Sequence, residues 1–256
     1  MSDQFQYPIS VADAVRLLKS SEGARAIAGG QSLVLEMRRV PTPHGPLIAI
    51  DSLRELTGIT ASEKQLRIGA AETHQSIAGS QIVKTELPAL SLLAESIGDP
   101  QIRNRGTVAG AIVSNAHHTD YAAALVALEG VIHTTHRSIP TAEIWQCQEA
   151  LCLASDELVT SISFEIPMSA EYVRRAHTAA GYAELAVFTA LHSADLIRVG
   201  MIGDGFSPAT TTCSTTTDLD SCFARLADIA QLTVFQRAQL KALQMETECR
   251  LQDGIN

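Results

Sequence analysis

The sequence predicts an α+β protein of two parts. Strands and helices alternate through roughly the first 165 residues, a group of alternating apolar segments follows Pro167, and the last stretch has helical spacing. The 256 residues allow one large or two modest domains.

Val11, Ala14, Val15 and Leu18 follow a helical period between Ser10 and Ser20, with Ser10 placed to cap the first turn and Gly23 beyond the end. A short apolar strand, Ala24 to Ala28, leads through Gly29-Gly30-Gln31-Ser32 into a helix from Leu33 to Arg39. The Pro41, Pro43, Gly45 and Pro46 cluster reads as a loop, and Leu47 to Asp51 as a buried strand bounded by breakers. Strands are expected at Gln65 to Ala70 and Val131 to Thr135, and helices at Thr73 to Ala78, Pro88 to Ile97 and Asp120 to Leu128. Glu157 to Ile166 alternates as a strand. Tyr172 to Thr178, Tyr182 to Leu191 and Leu196 to Ile202 read as three more, Thr210 to Thr217 as an exposed loop, and Leu219 to about Leu251 as helical.

Asp plus Glu number 28 against 19 for Lys plus Arg, a formal net charge of -9 that argues against a nucleic-acid partner. No apolar run approaches the roughly 20 residues of a membrane span, and the N-terminus lacks a basic region followed by an apolar one. Five cysteines at irregular spacings, with no CxxC, suit a reducing compartment rather than a disulfide framework or a thiolate-bound cluster. A soluble, cytoplasmic protein is expected. His117, His118, His133 and His136 show no convergent ligand set, so no metal is assigned to them. GxSxG, P-loop, HExxH and full dinucleotide fingerprints are absent from the sequence.

Two glycine-bearing segments carry the functional signal. Ala28-Gly29-Gly30-Gln31-Ser32-Leu33 follows a strand and opens a helix, where unpaired backbone N–H groups can receive a phosphate, although a glycine pair there is most often just a tight turn. The second runs from Gly98 to Ala111 and combines Ile102, Arg103 and Arg105 with the small-residue run Gly106 to Ala111; the competing reading is a solvated basic loop before a buried strand. About 75 residues apart, and each too short to hold a dinucleotide alone, they suit two walls of one site.

AGGQSL, IGDPQIRNRGTVAG and the intervening LRIGAAETH resemble the FAD-binding medium subunit of molybdenum hydroxylases, the group that includes the carbon monoxide dehydrogenase medium subunit and the flavin segment of xanthine dehydrogenase. The resemblance runs from about Tyr7 to Ile166 and continues more faintly to Gly205. It implies a two-part FAD-binding domain of the PCMH (vanillyl-alcohol-oxidase-like) type over 1–166, divided near residue 58. A small α+β domain over 167–256 would follow, with a three-stranded antiparallel sheet and helices.

The resemblance also implies the site. Ala28, Gly29, Gly30, Gln31, Ser32 and Leu33 would hold the FAD pyrophosphate, with Thr107, Val108, Ala109, Gly110 and Ala111 as the second cofactor segment and Ile102 and Arg103 beside it. Asp120 stands where relatives carry an acid that contacts the cofactor, although an acid there is also a natural N-cap. Ile97 and Leu158 fall at positions near the flavin in relatives, and Tyr182 at one that approaches its ring; each is otherwise an ordinary core residue. Ala109 departs from the usual glycine pair, and Ser114 to Thr119 departs from the family's histidine, alanine, aspartate, proline pattern.

The implied function is an FAD subunit that takes electrons from a 2Fe-2S small subunit and passes them to an external acceptor, while a molybdenum-cofactor large subunit oxidises the substrate. No catalytic acid or base is then needed in this chain. A stand-alone flavoenzyme, or a scaffold subunit that has lost FAD, are the alternatives.

Overall fold

The computed structural model describes residues 5–39, 45–114, 119–144, 150–177, 182–214 and 218–253. The chain opens with strand β1 (Phe5–Gln6), helix α1 (Val11–Ser20), β2 (Arg25–Ile27), α2 (Leu33–Arg39) and β3 (Leu47–Ala49). Ser10 caps α1 as expected, its hydroxyl oxygen accepting from the Asp13 N–H at 3.1 Å, and the helix buries Ala14 and Leu18. The three strands form a parallel sheet in the order β1-β3-β2. Leu33, Val34 and Met37 of α2 pack on Ile27, Leu47 and Ala49, which fixes the turn between β2 and α2 on the rim of the sheet.

Next come β4 (Ile59–Ala61), β5 (Gln65–Gly69), α3 (His74–Gly79), α4 (Gln81–Glu86), α5 (Pro88–Ser96), α6 (Pro100–Arg105), α7 (Val108–Ser114), α8 (Asp120–Ala127), β6 (Val131–Thr134), β7 (Ser138–Pro140), α9 (Thr141–Ile144) and β8 (Val159–Glu165). The strands form an antiparallel sheet in the order β4-β5-β8-β6-β7. Every residue of α8 is buried, as befits a helix apolar nearly all round that runs through the middle of a protein. The segment read as a second loop is largely helical, forming α6 and α7. Asp99 caps α6 and Pro100 occupies its first turn, both strong helix-start signals.

The remaining elements are β9 (Ser169–Ala176), β10 (Ala183–Ser193), β11 (Leu196–Gly203), β12 (Phe206–Cys213), α10 (Leu219–Ile229) and α11 (Val234–Asp253). The expected three-stranded sheet has four strands, in the order β12-β11-β10-β9. The added strand takes in Thr210 to Cys213, which the sequence reading placed in an exposed loop. β-branched threonines suit an edge strand, where Ala209 and Cys213 turn inward while Thr210 stays exposed. Thr215 to Thr217 lie outside the described residues.

The two-residue period of β10 serves two cores at once. Leu185 and Val187 pack with Phe223 and Leu226 of α10 and Leu240 and Leu243 of α11, whereas Ala186, Phe188 and Ala190 join the main core with α8. That main core draws on both sides of Pro167, which holds the last sheet against the body that carries the glycine segments. Asp120, at the start of α8, reinforces the junction. It sits 3.0 Å from Arg174 of β9 and accepts from the Tyr172 hydroxyl at 3.0 Å. Cys213, Cys222 and Cys249 are free, but Cys152 is disulfide-bonded, against the expectation from cysteine spacing.

Candidate functional site

The first wall is the turn from β2 into α2. Helix α2 claims its own amides only from Val34 onward, where Val34 N–H donates to the Gly30 carbonyl at 3.1 Å and Glu36 N–H to that of Ser32 at 3.0 Å. The N–H groups just ahead, at Gln31, Ser32 and Leu33, are left by helix geometry to an outside acceptor. Gly30 holds φ at +73°, which closes the turn in the left-handed region.

The second wall is the α6–α7 corner. Gly106 joins the two helices, and the strand-like stretch before α3 is laced to it: His74 N–H donates to the Gly106 carbonyl and Val108 N–H to that of Glu72, each at 3.0 Å. Two contacts clasp the walls together. A Cβ on Gly29 would overlap the Arg105 carbonyl, so only glycine lets the backbones meet there. At the mouth, the Ser114 hydroxyl oxygen of α7 lies 3.1 Å from Ser32 Oγ and 2.6 Å from the Gly110 carbonyl.

Between the walls lies a cavity of about 400 Å³, within the usual size range of small-molecule sites. Eleven sequence-predicted residues line it: Ala28, Gly29, Gly30, Gln31, Ser32, Leu33, Ile97, Ile102, Thr107, Gly110 and Ala111. Arg25 and Glu36 stand at its edge as an ion pair at 2.8 Å, and the hydrogen bond from Arg25 holds the Glu36 carboxyl below its usual range.

The other predicted residues lie elsewhere. Arg103 donates through Nη1 to the carbonyls of Ile97 at 3.2 Å and Gly98 at 2.9 Å, and so pins the turn before α6. Val108 and Ala109 turn into the main core, so the methyl that replaces the family's glycine at 109 does not fill the cavity. Asp120 faces Arg174 rather than capping α8; burial raises its carboxyl above the ordinary value, and Arg174 and Tyr172 partly offset that. Leu158 is a core residue. Tyr182 is half exposed, its ring stacked on His177 with centroids 5.0 Å apart.

Sequence reasoning missed His74, Gly106 and Ser114 as lining residues, although LRIGAAETH ends on His74 itself. His133 spends both ring nitrogens on serine hydroxyls, Ser138 at 3.0 Å and Ser163 at 2.6 Å, while His117 and His118 lie outside the described residues.

A family model for the FAD binding domain in molybdopterin dehydrogenase matches residues 1–169. The chain belongs to that family. Its cofactor is therefore FAD, and the cavity fits one in the respects its residues decide: free amides beside a left-handed glycine, hydroxyls at the mouth, and no side chain across the turn.

The chain is 32% identical over 168 residues to the nicotine 6-hydroxylase medium subunit of Paenarthrobacter nicotinovorans, covering 62% of this chain and 58% of that protein. Against the xanthine dehydrogenase FAD-binding subunit of Escherichia coli O157:H7 it is 32% identical over 173 residues, covering 66% and 59%. The matched segments thus span under six tenths of these relatives' lengths. The fold extends further: a chain of reconstituted CO dehydrogenase from Oligotropha carboxidovorans superposes with a TM-score of 0.80 at 25% identity, covering 98% of this chain and 95% of that one. Among the described residues, no helix is long and apolar enough to cross a membrane.

Proposed function

We propose that this chain is the FAD-binding subunit of a molybdenum-hydroxylase-like oxidoreductase. The bound FAD would accept electrons from a 2Fe-2S partner subunit and release them to an external acceptor, with substrate oxidation on a molybdenum-bearing large subunit. The relatives named as medium and FAD-binding subunits support this reading. The observation that carries it is the clasp of Gly29 against Arg105, which turns two motifs distant in sequence into one cavity.

In this reading the protein's work is binding and orientation. The amides of Gln31, Ser32 and Leu33 and the hydroxyls of Ser32 and Ser114 receive the pyrophosphate, while Ile97 and Ile102 supply apolar wall that excludes water. Thr107, Gly110 and Ala111 form the opposite wall. Leu158 and Tyr182 are assigned to the flavin end by the family resemblance. Asp120 and Arg103 act at one remove, by fixing α8 and the Gly98 turn. The division into 1–166 and 167–256 follows the sheets, since the first two take their strands from residues 5–165 and the third from 169–213.

The test is an absorbance spectrum of the purified full chain, followed by acid release and identification of the flavin. Close to one FAD per chain, with co-purification of large and small subunits, is the expected result. A chain that stays colourless after incubation with FAD and partners would overturn the assignment. A yellow chain that turns over a small molecule alone would overturn the subunit role.

A further inference from the structure

His74 is only 3% exposed, yet it lines the cavity. Its Nδ1 lies 3.1 Å from the hydroxyl of Tyr121, a fully buried residue of α8, and this is the one hydrogen bond of either side chain among the described residues. Burial keeps the phenol protonated, so its hydrogen must be donated, and the acceptor in reach is His74 Nδ1. That assignment fixes the tautomer. Nδ1 is occupied as an acceptor, and Nε2 carries the hydrogen.

Nε2 has no partner among the described residues, and it lies against Gly106, where a Cβ would stand 2.9 Å away. Glycine at 106 therefore leaves the donor uncovered on the cavity side. The titratable and charged groups set against the ring are Tyr121 from α8 and Arg103 from α6. A second proton is disfavoured first by burial of the ring and then by the like charge of Arg103, and protonating Nδ1 would also orphan the buried Tyr121 hydroxyl hydrogen.

We propose that His74 is a cofactor-binding residue, whose Nε2–H, locked in place by Tyr121, donates to a diphosphate oxygen of the dinucleotide in the cavity. This rests on the FAD reading above. A neutral donor of this kind gives the site a hydrogen bond to an anion without a charge that comes and goes between pH 6 and 8.

The test uses the full chain stripped of flavin, with FAD binding followed by quenching of flavin fluorescence and ADP as a second, flavin-free probe. His74→Leu is expected to weaken both FAD and ADP by about tenfold or more, the scale of one hydrogen bond to a charged group. His74→Gln, which returns an N–H near the Nε2 position, should recover most of the loss. In Tyr121→Phe the ring loses the partner that fixes its tautomer while burial and Arg103 still oppose a second proton, so FAD and ADP should both weaken, by less than in His74→Leu. If His74→Leu fails to fold, the Gln and Phe variants decide.

Parent chain that binds FAD, with His74→Leu within twofold of it, would overturn the proposal. So would a loss confined to FAD and not shared by ADP, or Tyr121→Phe with the parent's affinity for both. A parent chain that binds no FAD would instead overturn the reading of the site itself.

Discussion

Replacing Arg174 by Met isolates the buried pair that ties α8 to the last sheet. The side chains of Asp120 and Arg174 are 8% and 15% exposed, so removing the guanidinium leaves a carboxylate with little access to water and the Tyr172 hydroxyl as its remaining described donor. Breaking such a pair from one side costs about 3–5 kcal/mol. At about 2–4 °C per kcal/mol for a chain of this size, the melting temperature at pH 7 should fall by roughly 6–20 °C. The dependence on pH is the sharper test. Burial already raises the Asp120 carboxyl in the folded state, so folding favours its protonated form and that benefit is lost as pH rises through the folded value. Without Arg174 the carboxyl rises further, and the gap between variant and parent should shrink as pH falls from 7 towards 4.5. Asp120→Asn with Arg174→Met should regain most of the stability at pH 7, because no buried charge is left over. Melting curves across that range for the single and double variants give the answer. A loss independent of pH, or a double variant no better than the single, would refute the argument.

Gly29→Ala places a methyl group on the Arg105 carbonyl, so the walls must part. A loss of about 1–3 kcal/mol in stability and a sharp fall in bound flavin are expected, and wild-type values of both would be a refutation. Burial and the neighbouring Cys222 push the Cys213 thiol up to about 12; iodoacetamide at pH 8 should therefore modify exposed Cys249 and spare Cys213, as peptide mass spectrometry would show. In the flavin-free chain, burial and Arg103 lower His74 to about 4, so its contribution to stability is complete above pH 6.5 and lost as pH falls towards 4. NMR titration of the ring protons should show no protonation above pH 5; a midpoint near 6.5 would contradict the buried geometry.

Much of the fold is legible because local signals agree with it. Ser10 with its apolar period locates α1, the helix start at Leu33 falls where the glycine turn places it, and the strands at 47, 65, 131 and 159 lie within two residues of their expected starts. The failures have local causes. Thr210 to Cys213 read as an exposed loop because they are too polar and β-branched for a helix, whereas an edge strand turns alternate residues to solvent and so accommodates them. The α6–α7 corner reads as a loop because glycines and arginines outweigh the cap at Asp99. Eleven of the proposed cofactor residues meet in one cavity, since motif order reflects backbone that must stay bare. His74 is invisible to the same reasoning: its role depends on Tyr121, 47 positions away, and on a missing side chain at Gly106.

The clasp between Gly29 and Arg105 also sets an order of events in the life of the chain. During synthesis the first wall emerges long before its counterpart; α2 can seat the turn on its own sheet, but the cavity has no second side until residue 105 has arrived and α6 has packed. The pocket is thus a product of completed collapse rather than a seed for it. FAD stabilises only the finished molecule, by about 2.7 kcal/mol when its free concentration is a hundred times the dissociation constant. Bound flavin then adds to the protection of finished chains from proteolysis, and yellow colour marks chains whose two walls have met.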